Sequence, residues 1–373
     1  MSFILTEEQE ELLALVRKFS EKEILPYAHQ MDVEAHFVPG LIQKIADLGF
    51  MGINVPEEYG GVGADEVTKA LVIMEFAKYD ASVAELLAVH TLSSDIILKH
   101  GTPEQKEKYL TKACTGAVGA FALTEPNAGS DAAAAKTKAI SQGDEYIINM
   151  GQDEGDYVIL IVLTDPEKKT KGMSAIIVDR DTPGFTVPKT EDKMGLRAAP
   201  VSELYFDECH VPKSQLLGEE GKGFAIAMAG LDGGRIGMAS QAVGLAESCI
   251  AESVEYSTQR VQFGKPVNAN QGLQWYLADM ATKTEAAKAL TLNAAALRQA
   301  GKNITKEAAM AKYYASETAV EVANKALQIH GGYGYMKEYA IERQYRDARI
   351  IPIYEGTSEV QKMVISRAVI NGK

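Results

Sequence analysis

Hydrophobic residues recur at helical spacing through the first third of the chain. Thr6 and Gln9 have the spacing of a capping box, and the apolar positions that follow predict an amphipathic helix. The predicted helices cover 7–30, 39–49, 65–80 and 83–100, and another begins after Thr102, where a proline follows. Residues 1–116 are therefore predicted to form an all-helical domain.

The pattern changes in the middle of the chain to short β-branched runs separated by Asp, Pro, Gly and Lys turns. The predicted strands cover 157–163, 174–178, 185–187 and 203–206. No helix of crossover length lies between them, which argues against a doubly wound nucleotide-binding fold. Residues 117–222 are predicted to form a compact all-β domain.

Helical periodicity returns after residue 222 in longer segments. These segments cover 224–257, 268–300 and 305–329. Residues 223–373 are therefore predicted to form a helical bundle, and the whole chain a multidomain α+β fold.

Composition and charge exclude several partners. The chain has 373 residues, enough for two or three domains with buried cores, and its 46% hydrophobic and 24% charged residues are ordinary for a globular protein. The net charge of -13 argues against nucleic acid and against anionic membrane surfaces. It still permits a local basic pocket for an anionic ligand. We expect no membrane-spanning segment, since we see no sufficiently long apolar run.

The cysteines and the first residues suggest a reduced compartment. Cys114, Cys209 and Cys249 are far apart and form no C-x-x-C pair, so neither a zinc site nor a disulfide framework is predicted. The N-terminus turns acidic at once, unlike a secretory signal or a transit peptide. A cytoplasmic protein is expected.

Glu355 is the candidate with the clearest chemistry. It follows an apolar run, and Ser358 and Gln361 after it have the spacing of a capping box, which predicts a helix start near Ser358. The apolar neighbours should raise the pKa of Glu355, whereas the helix N-terminus should lower it. If desolvation dominates, Glu355 is a general base near neutral pH; otherwise it is a surface residue that complements the helix dipole.

Five stretches, in order along the chain, resemble the acyl-CoA dehydrogenases. They are Phe-Ala-Leu-Thr-Glu-Pro-Asn-Ala-Gly-Ser-Asp at 121–131, Leu-Asp-Gly-Gly-Arg at 231–235, Arg-Val-Gln-Phe-Gly-Lys-Pro at 260–266, Gln-Ile-His-Gly-Gly-Tyr-Gly-Tyr at 328–335, and Ile-Tyr-Glu-Gly-Thr-Ser-Glu-Val-Gln at 353–361. Taken singly, each also has a plain structural interpretation, such as a turn, an Asp-Arg helix pair or a glycine helix cap. Together they resemble the short-chain bacterial members, both butyryl-CoA dehydrogenases and acryloyl-CoA reductases.

The resemblance implies a fold, a reaction and partners. The fold would be a helical domain, a β-domain and a helical bundle, assembled as a homo-oligomer, in the family a dimer of dimers. The reaction would be α,β-dehydrogenation of an acyl-CoA or its reversal, with FAD as cofactor and an electron-transfer flavoprotein as electron partner. Glu355 would remove the α-proton, and its backbone N–H would bind the thioester carbonyl.

The resemblance also assigns binding residues. For the acyl-CoA these are Ser130, Asp232, Arg235 and Gly356. For FAD they are Phe121, Leu123, Thr124 and Ser130 near the middle of the chain, and Thr357, Ser358 and Glu359 at the last helix start. For the FAD of a neighbouring subunit they are Arg260, Phe263, Gln271, Gln328, Gly331 and Gly332.

One family element is absent. After 146–149 the family has an aromatic-Ile-Thr segment that stacks on the flavin, whereas here the chain continues through 150–156 directly into the strand at 157. Either residues are missing from this sequence, or the deletion is real and flavin binding is impaired. The deletion motivates one rival, a non-catalytic member that binds acyl-CoA or a partner. A second rival is an acyl-CoA oxidase, which would use the same base.

Overall fold

The computed structural model describes residues 4–149 and 155–372. Its first helices are α1 (Glu7–Glu23), α2 (Ala28–Glu34), α3 (Leu41–Asp47), α4 (Glu66–Ala77), α5 (Ala81–His100) and α6 (Pro103–Cys114). The capping boxes predicted at Thr6 and Thr102 are confirmed. The single helix predicted over 7–30 is wrong, because α1 ends before a short 3-10 turn at Leu25–Tyr27. Pro26 lies in that turn and has no N–H with which to continue an α-helix.

The middle of the chain is a β-structure around one central hairpin. Its strands are β1 (Gly119–Ala122), β2 (Lys138–Gln142), β3 (Glu145–Asn149), β4 (Tyr157–Leu163), β5 (Met173–Asp179), β6 (Phe185–Thr190), β7 (Ser202–Phe206), β8 (Cys209–Pro212) and β9 (Leu216–Leu217). Among the described residues, seven of these form a sheet in the order β8-β3-β2-β4-β5-β9, with β1 also paired to β4. β4 and β5 pair antiparallel along their whole length and are buried on both faces, which explains their unbroken apolar runs.

The position of β1 determines where the loop after it lies. β1 runs parallel to β4, with Gly119 opposite Tyr157, and a Cβ on Gly119 would lie only 2.5 Å from the Tyr157 hydroxyl. Within the described part of 117–222 the only helical segments are short 3-10 turns, so the expectation that no doubly wound fold forms is confirmed. The loop that follows β1 carries three of the predicted binding residues, and a fourth, Phe121, lies in β1 itself.

The remaining helices form the bundle that was predicted. They are α7 (Gly223–Gln259), α8 (Gln271–Gln299), α9 (Thr305–His330), α10 (Ala340–Ala348) and α11 (Ser358–Ile370), with a small hairpin of β10 (Val261–Gln262) and β11 (Lys265–Pro266) between α7 and α8. α7 packs against α8 and α9 of the bundle and also against α4 and α5 of the first helices. One hydrophobic core therefore runs without interruption from the first helices into the bundle.

α5 is long and apolar enough to cross a membrane by length and composition alone, and 83% of its apolar window is buried inside the fold. Such a run was not expected from the sequence, because Glu85 and Asp95 interrupt it. Its burial between α4, α6 and α7 identifies it as a core helix of the protein.

Candidate active site

Glu355 lies in a turn with an unusual backbone. Both Glu355 and Gly356 have left-handed conformations, with φ of +52° and +89°. A non-glycine residue adopts this conformation only where its surroundings enforce it. Gln361 Nε2 donates to the carbonyls of Glu355 and Gly356 at 3.1 and 2.8 Å, and Lys312 Nζ donates to the Gly356 carbonyl at 2.6 Å. Two fully buried side chains thus hold the turn from inside the protein.

The Glu355 carboxylate rests against the backbone of α7 at Gly234. A Cβ added to Gly234 would lie 2.9 Å from Oε2 and 3.2 Å from Oε1 of Glu355, so any side chain there would displace the carboxylate. Oε2 is buried and has no hydrogen-bond partner among the described residues. The shape of the site therefore orients this oxygen, and it is available to accept a proton.

Burial sets the protonation of Glu355. Desolvation raises the pKa of Glu355 to about 7, although the nearby cations Arg235 and Lys312 act to lower it. Of the two effects weighed from the sequence, desolvation dominates, and the interpretation of Glu355 as a surface residue is wrong. A carboxylate that is partly ionised at neutral pH suits a general base, and its protonated form suits a general acid.

Arg235 and Asp232 form the helix pair that their spacing suggested. Arg235 Nη1 donates to Asp232 Oδ1 at 2.6 Å, and the other Asp232 oxygen accepts from the Thr305 hydroxyl at 2.6 Å. Arg235 is only 6% exposed, and its Nε has no partner among the described residues. The pair anchors a guanidinium close enough to Glu355 to lower its pKa.

Tyr354 fixes the turn from its other end. Its hydroxyl donates to Gln241 Oε1, and Gln241 Nε2 donates to the Ala81 carbonyl at 2.8 Å. Gln241 is fully buried in α7. The residue before the base is thus connected through α7 to the start of α5.

A cavity of about 800 Å³ opens beside this pair. Asp232, Arg235 and Thr305 line it. The cations Lys99, Arg298 and Lys302 also line it, together with the imidazole of His100 and the carboxylates of Glu66 and Asp95. A cavity of this size with cations among its walls can hold part of a phosphate-bearing ligand such as an acyl-CoA.

The residues predicted to bind the cofactor fall into three groups. Phe121 and Leu123 are half-buried at the end of β1, while Thr124 and Ser130 are exposed in the loop that follows. In the second group the Arg260 guanidinium carbon lies 5.3 Å from the centre of the Tyr333 ring. That contact joins the loop before β10 to the glycine turn after α9. The remaining members of this group, Phe263, Gln271, Gln328, Gly331 and Gly332, are also exposed.

The third group is at the start of α11, where one prediction is corrected. The N-cap is Thr357, whose side chain accepts from the Val360 N–H, and not Ser358. The Ser358 hydroxyl instead donates to the Glu317 carboxylate. Gln361 Nε2 donates to the carbonyls of Glu355 and Gly356, which precede the helix. The capping box was misplaced because Ser358 has a tertiary partner in α9, while Gln361 bonds to the turn that holds Glu355. The helix start near Ser358 is confirmed.

The donors in these groups fit a flavin nucleotide. An exposed guanidinium at Arg260, the hydroxyls of Thr124 and Ser130, and the N-terminus of α11 are all suited to a pyrophosphate. Phe263 is 99% exposed, so a large ring is presented for an aromatic ligand or another subunit. The site of the missing aromatic-Ile-Thr element, residues 150–154, lies outside the described residues. Within those residues, no group of three or more His, Cys, Asp or Glu could hold a metal ion.

Sequence reasoning missed three residues of the site. Lys312 could have been found, because it lies on a helix face otherwise lined by small apolar residues. Gly234 was noted only as part of the stretch at 231–235, and Gln361 only as part of a helix cap. Their contacts to Glu355 and Gly356 depend on packing between distant segments, which no local pattern reveals.

Three family models match almost the whole chain. They are described as acyl-CoA dehydrogenase N-terminal domain over residues 6–117, middle domain over 120–209 and C-terminal domain over 221–370.

The chain is also similar to characterised relatives. It is 52% identical to an acryloyl-CoA reductase (NADH) of Anaerotignum propionicum, covering 99% of this chain and 96% of the relative. It is 44% identical to a short-chain specific acyl-CoA dehydrogenase of Clostridium acetobutylicum, covering 98% and 99%.

Solved structures agree with these matches. The butyryl-CoA dehydrogenase from Megasphaera elsdenii superposes with a TM-score of 0.96 at 44% identity, covering 99% of this chain and 100% of that one. A chain of a structure described as "Electron transferring flavoprotein of Acidaminococcus fermentans: Towards a mechanism of flavin-based electron bifurcation" gives a TM-score of 0.97 at 45% identity, with the same coverage.

Proposed function

This chain belongs to the acyl-CoA dehydrogenase family, and on that premise we propose that it is a flavin-dependent oxidoreductase that interconverts a short-chain acyl-CoA and its trans-2-enoyl-CoA. Its electrons are exchanged with an electron-transfer flavoprotein. The observation that carries this proposal is the buried carboxylate of Glu355, which rests on Gly234 with an unpartnered Oε2 and a pKa near 7. The names of the relatives include both dehydrogenases and reductases, so both directions belong to the proposal.

The proposal gives each residue of the acyl-CoA site a role. The cavity beside Asp232 and Arg235 holds the substrate, and the lysines Lys99 and Lys302 in its wall bind phosphate. Glu355 Oε2 removes the α-proton in dehydrogenation and returns it in reduction. Burial excludes water from the carboxylate, and a pKa near the working pH allows both protonation states to be populated. Ser130 and Gly356 complete the predicted substrate contacts.

FAD, when bound, supplies the hydride acceptor for dehydrogenation and the hydride donor for reduction. The residues that would hold it are those of the β1 loop and of the start of α11, together with the group around Arg260 from a neighbouring subunit. This arrangement requires a homo-oligomer, for which we propose a dimer of dimers with domains 1–116, 117–222 and 223–373 in each subunit. All three cysteines are free thiols, which supports a cytoplasmic location.

The visible absorption spectrum of the purified protein tests the proposal. A flavin spectrum that bleaches when butyryl-CoA is added without oxygen is the expected result. Glu355→Gln should keep the flavin spectrum and acyl-CoA binding but lose turnover; near wild-type turnover would remove Glu355 from this role. Release of hydrogen peroxide during turnover would instead indicate an oxidase.

The missing aromatic segment after Asn149 favours a second candidate, a member that binds acyl-CoA without redox chemistry. A colourless protein that does not take up added FAD would make this the leading function. The intact mass of the purified protein separates the causes, because a mass equal to that of the 373-residue chain means that the deletion is real.

A further inference from the structure

The loop between β1 and β2, residues 123–137, carries three predicted binding residues, among them Thr124 and Ser130. The side chains of these two are exposed. In contrast, Ala128 and Ala135 of the same loop are only 1% and 7% exposed, and they belong to an apolar cluster that includes residues of β4 and β5. The loop thus presents its hydroxyls outward while its small apolar residues pack against the sheet.

The carboxylate of Glu125 closes this loop on itself. The Lys136 N–H donates to both of its oxygens, at 2.9 and 2.8 Å, and the Thr137 N–H donates to Oε1 at 2.7 Å. The two donors lie 11 and 12 residues further along the chain. The Thr137 carbonyl in turn accepts from the Leu163 N–H at 2.7 Å, which joins the closed loop to the end of β4.

The backbone of Glu125 forms a second closure. Its N–H donates to the Ala128 carbonyl at 3.2 Å, and its own carbonyl accepts from the Ala128 N–H at 2.9 Å. Thr124 comes immediately before this turn, and Ser130 follows shortly after it. One residue therefore fixes both the turn that separates the two hydroxyls and the point at which the loop returns to the sheet.

A loop that is already closed costs a ligand less to bind than an open one. Ordering a flexible loop opposes binding, because the conformational freedom of its backbone is lost. The Glu125 bonds order this loop from within the chain, and hydrogen bonds to a charged carboxylate are stronger than those to a neutral acceptor. None of their partners belongs to the stretch after Asn149, so this order does not depend on the missing aromatic element.

We propose that Glu125 is a positioning residue, which keeps the loop closed and ready to bind before FAD or acyl-CoA is present. This inference rests on the proposed function, in which Thr124 and Ser130 contact these ligands. Without the carboxylate only a fraction of the molecules has a closed loop, and the apparent dissociation constant rises by the inverse of that fraction. Loss of hydrogen bonds to a charged group changes an equilibrium about tenfold, which sets the expected size of the effect.

The test compares Glu125→Met with Glu125→Gln in the full-length protein. Met has a similar length and no acceptor, whereas the Gln oxygen can take the place of Oε1, which accepts from both N–H groups. Titration with FAD after removal of bound flavin should show about tenfold weaker binding for Glu125→Met, and for Glu125→Gln an affinity within about twofold of the wild type. In the ligand-free protein, the Lys136 and Thr137 amides should exchange hydrogen faster in Glu125→Met than in the other two proteins.

A matched control is Asp165→Leu. Asp165 Oδ1 accepts from the Glu167 N–H at 3.2 Å between β4 and β5, a connection that carries none of the predicted binding residues, so FAD affinity should not change. Lys136→Pro is a second variant, which removes one donor and leaves Glu125 in place, because proline has no N–H. Ala135 before it already has the extended backbone that a residue preceding proline adopts, with φ of -57° and ψ of 142°. Lys136→Pro should also weaken FAD binding.

The outcomes separate this inference from the proposed function. Wild-type FAD affinity in folded Glu125→Met, even with a lower melting temperature, leaves Glu125 a structural role alone and overturns the inference, as does an equal loss in Asp165→Leu. If Glu125→Met does not fold, unchanged affinity in Lys136→Pro overturns it. A wild type that takes up no FAD overturns the redox function, and calorimetry of the same variants with 2-butenoyl-CoA then decides the inference through Ser130. Expected FAD affinities without turnover overturn the redox function and support the role of Glu125.

Discussion

Replacing Lys312 by Met tests how a nearby cation affects the pKa of the base, Glu355. Lys312 is fully buried, and its ammonium donates to the Gly356 carbonyl at 2.6 Å. Burial lowers the pKa of Lys312 to about 8, so it remains charged at neutral pH. Met has a similar length and no charge, and Gln361 keeps its own hydrogen bond to the same carbonyl. The substitution therefore removes a cation from the site while one contact to the turn is retained.

The direction and size of the effect follow from the charges. Lys312 and Arg235 both lower the pKa of Glu355, so loss of one cation should raise that pKa, by about one unit from its value near 7. The ionised fraction of Glu355 at pH 7 would then fall from about half to about one tenth. Turnover in the dehydrogenation direction at pH 7 should fall about fivefold, and above about pH 9 the loss should nearly disappear. Glu317 and Glu359 also face Lys312, while Arg235 still faces the base after the substitution.

The assay is the pH profile of kcat/KM for butyryl-CoA with an artificial electron acceptor, from about pH 5.5 to 9.5. The control is Lys325→Met, because Lys325 is on the same helix but pairs with Asp279 and Glu321 away from the site. We expect the acidic limb of the profile to move upward only for Lys312→Met. An equal loss of activity at every pH, with the inflection in place, would refute the electrostatic reasoning and leave Lys312 a purely structural role.

Three further substitutions test other contacts. Gly234→Ala should reduce turnover about 100-fold with little change in stability, because its Cβ would push the Glu355 carboxylate out of place; unchanged kcat would contradict the contact. Asp347 is 3% exposed, and burial raises its pKa to about 7 although the Leu196 N–H donates to it. The folded state thus holds a proton that the unfolded state has released, so stability should fall as the pH rises from about 4 to 7. Asp347→Asn should flatten this slope in urea titrations at several pH values, and an unchanged slope would assign it to other groups. Arg260→Met should lower the FAD content of the purified protein, measured by absorbance, without changing its melting temperature in the absence of added cofactor; full FAD retention would remove Arg260 from the cofactor site.

Local signals accounted for much of the secondary structure. The starts of α1 and α6 were predictable because a capping box is complete within four residues. The buried strands β4 and β5 were predictable because strands covered on both faces consist of unbroken apolar residues. The end of α1 was not predicted, since apolar periodicity continues past Pro26 although the hydrogen bonding does not.

The candidate base was predictable from its signature, but its chemistry was not. Whether desolvation or local charge prevails at Glu355 depends on Gly234 and Lys312, which lie on two other helices. The cap at Ser358 failed for a similar reason, since Glu317 of α9 takes its hydroxyl. Sequence spacing identifies local partners, whereas these contacts arise from the packing of α7, α9 and α11.

The continuous core around α7 has a consequence for folding. Buried residues from Leu13 to Ala88 share one apolar cluster with residues from Ile236 to Ile351. The β-structure between them has one cluster of its own and a second one that it shares with α5, α6 and the start of α7. The β-structure is therefore topologically an insertion, and the two ends of the chain must meet across it before either can bury its apolar faces. We expect the first helices and the bundle to unfold in a single cooperative transition, and neither to be stable when expressed alone. Such long-range contacts slow folding, because the loop must close before the core can form.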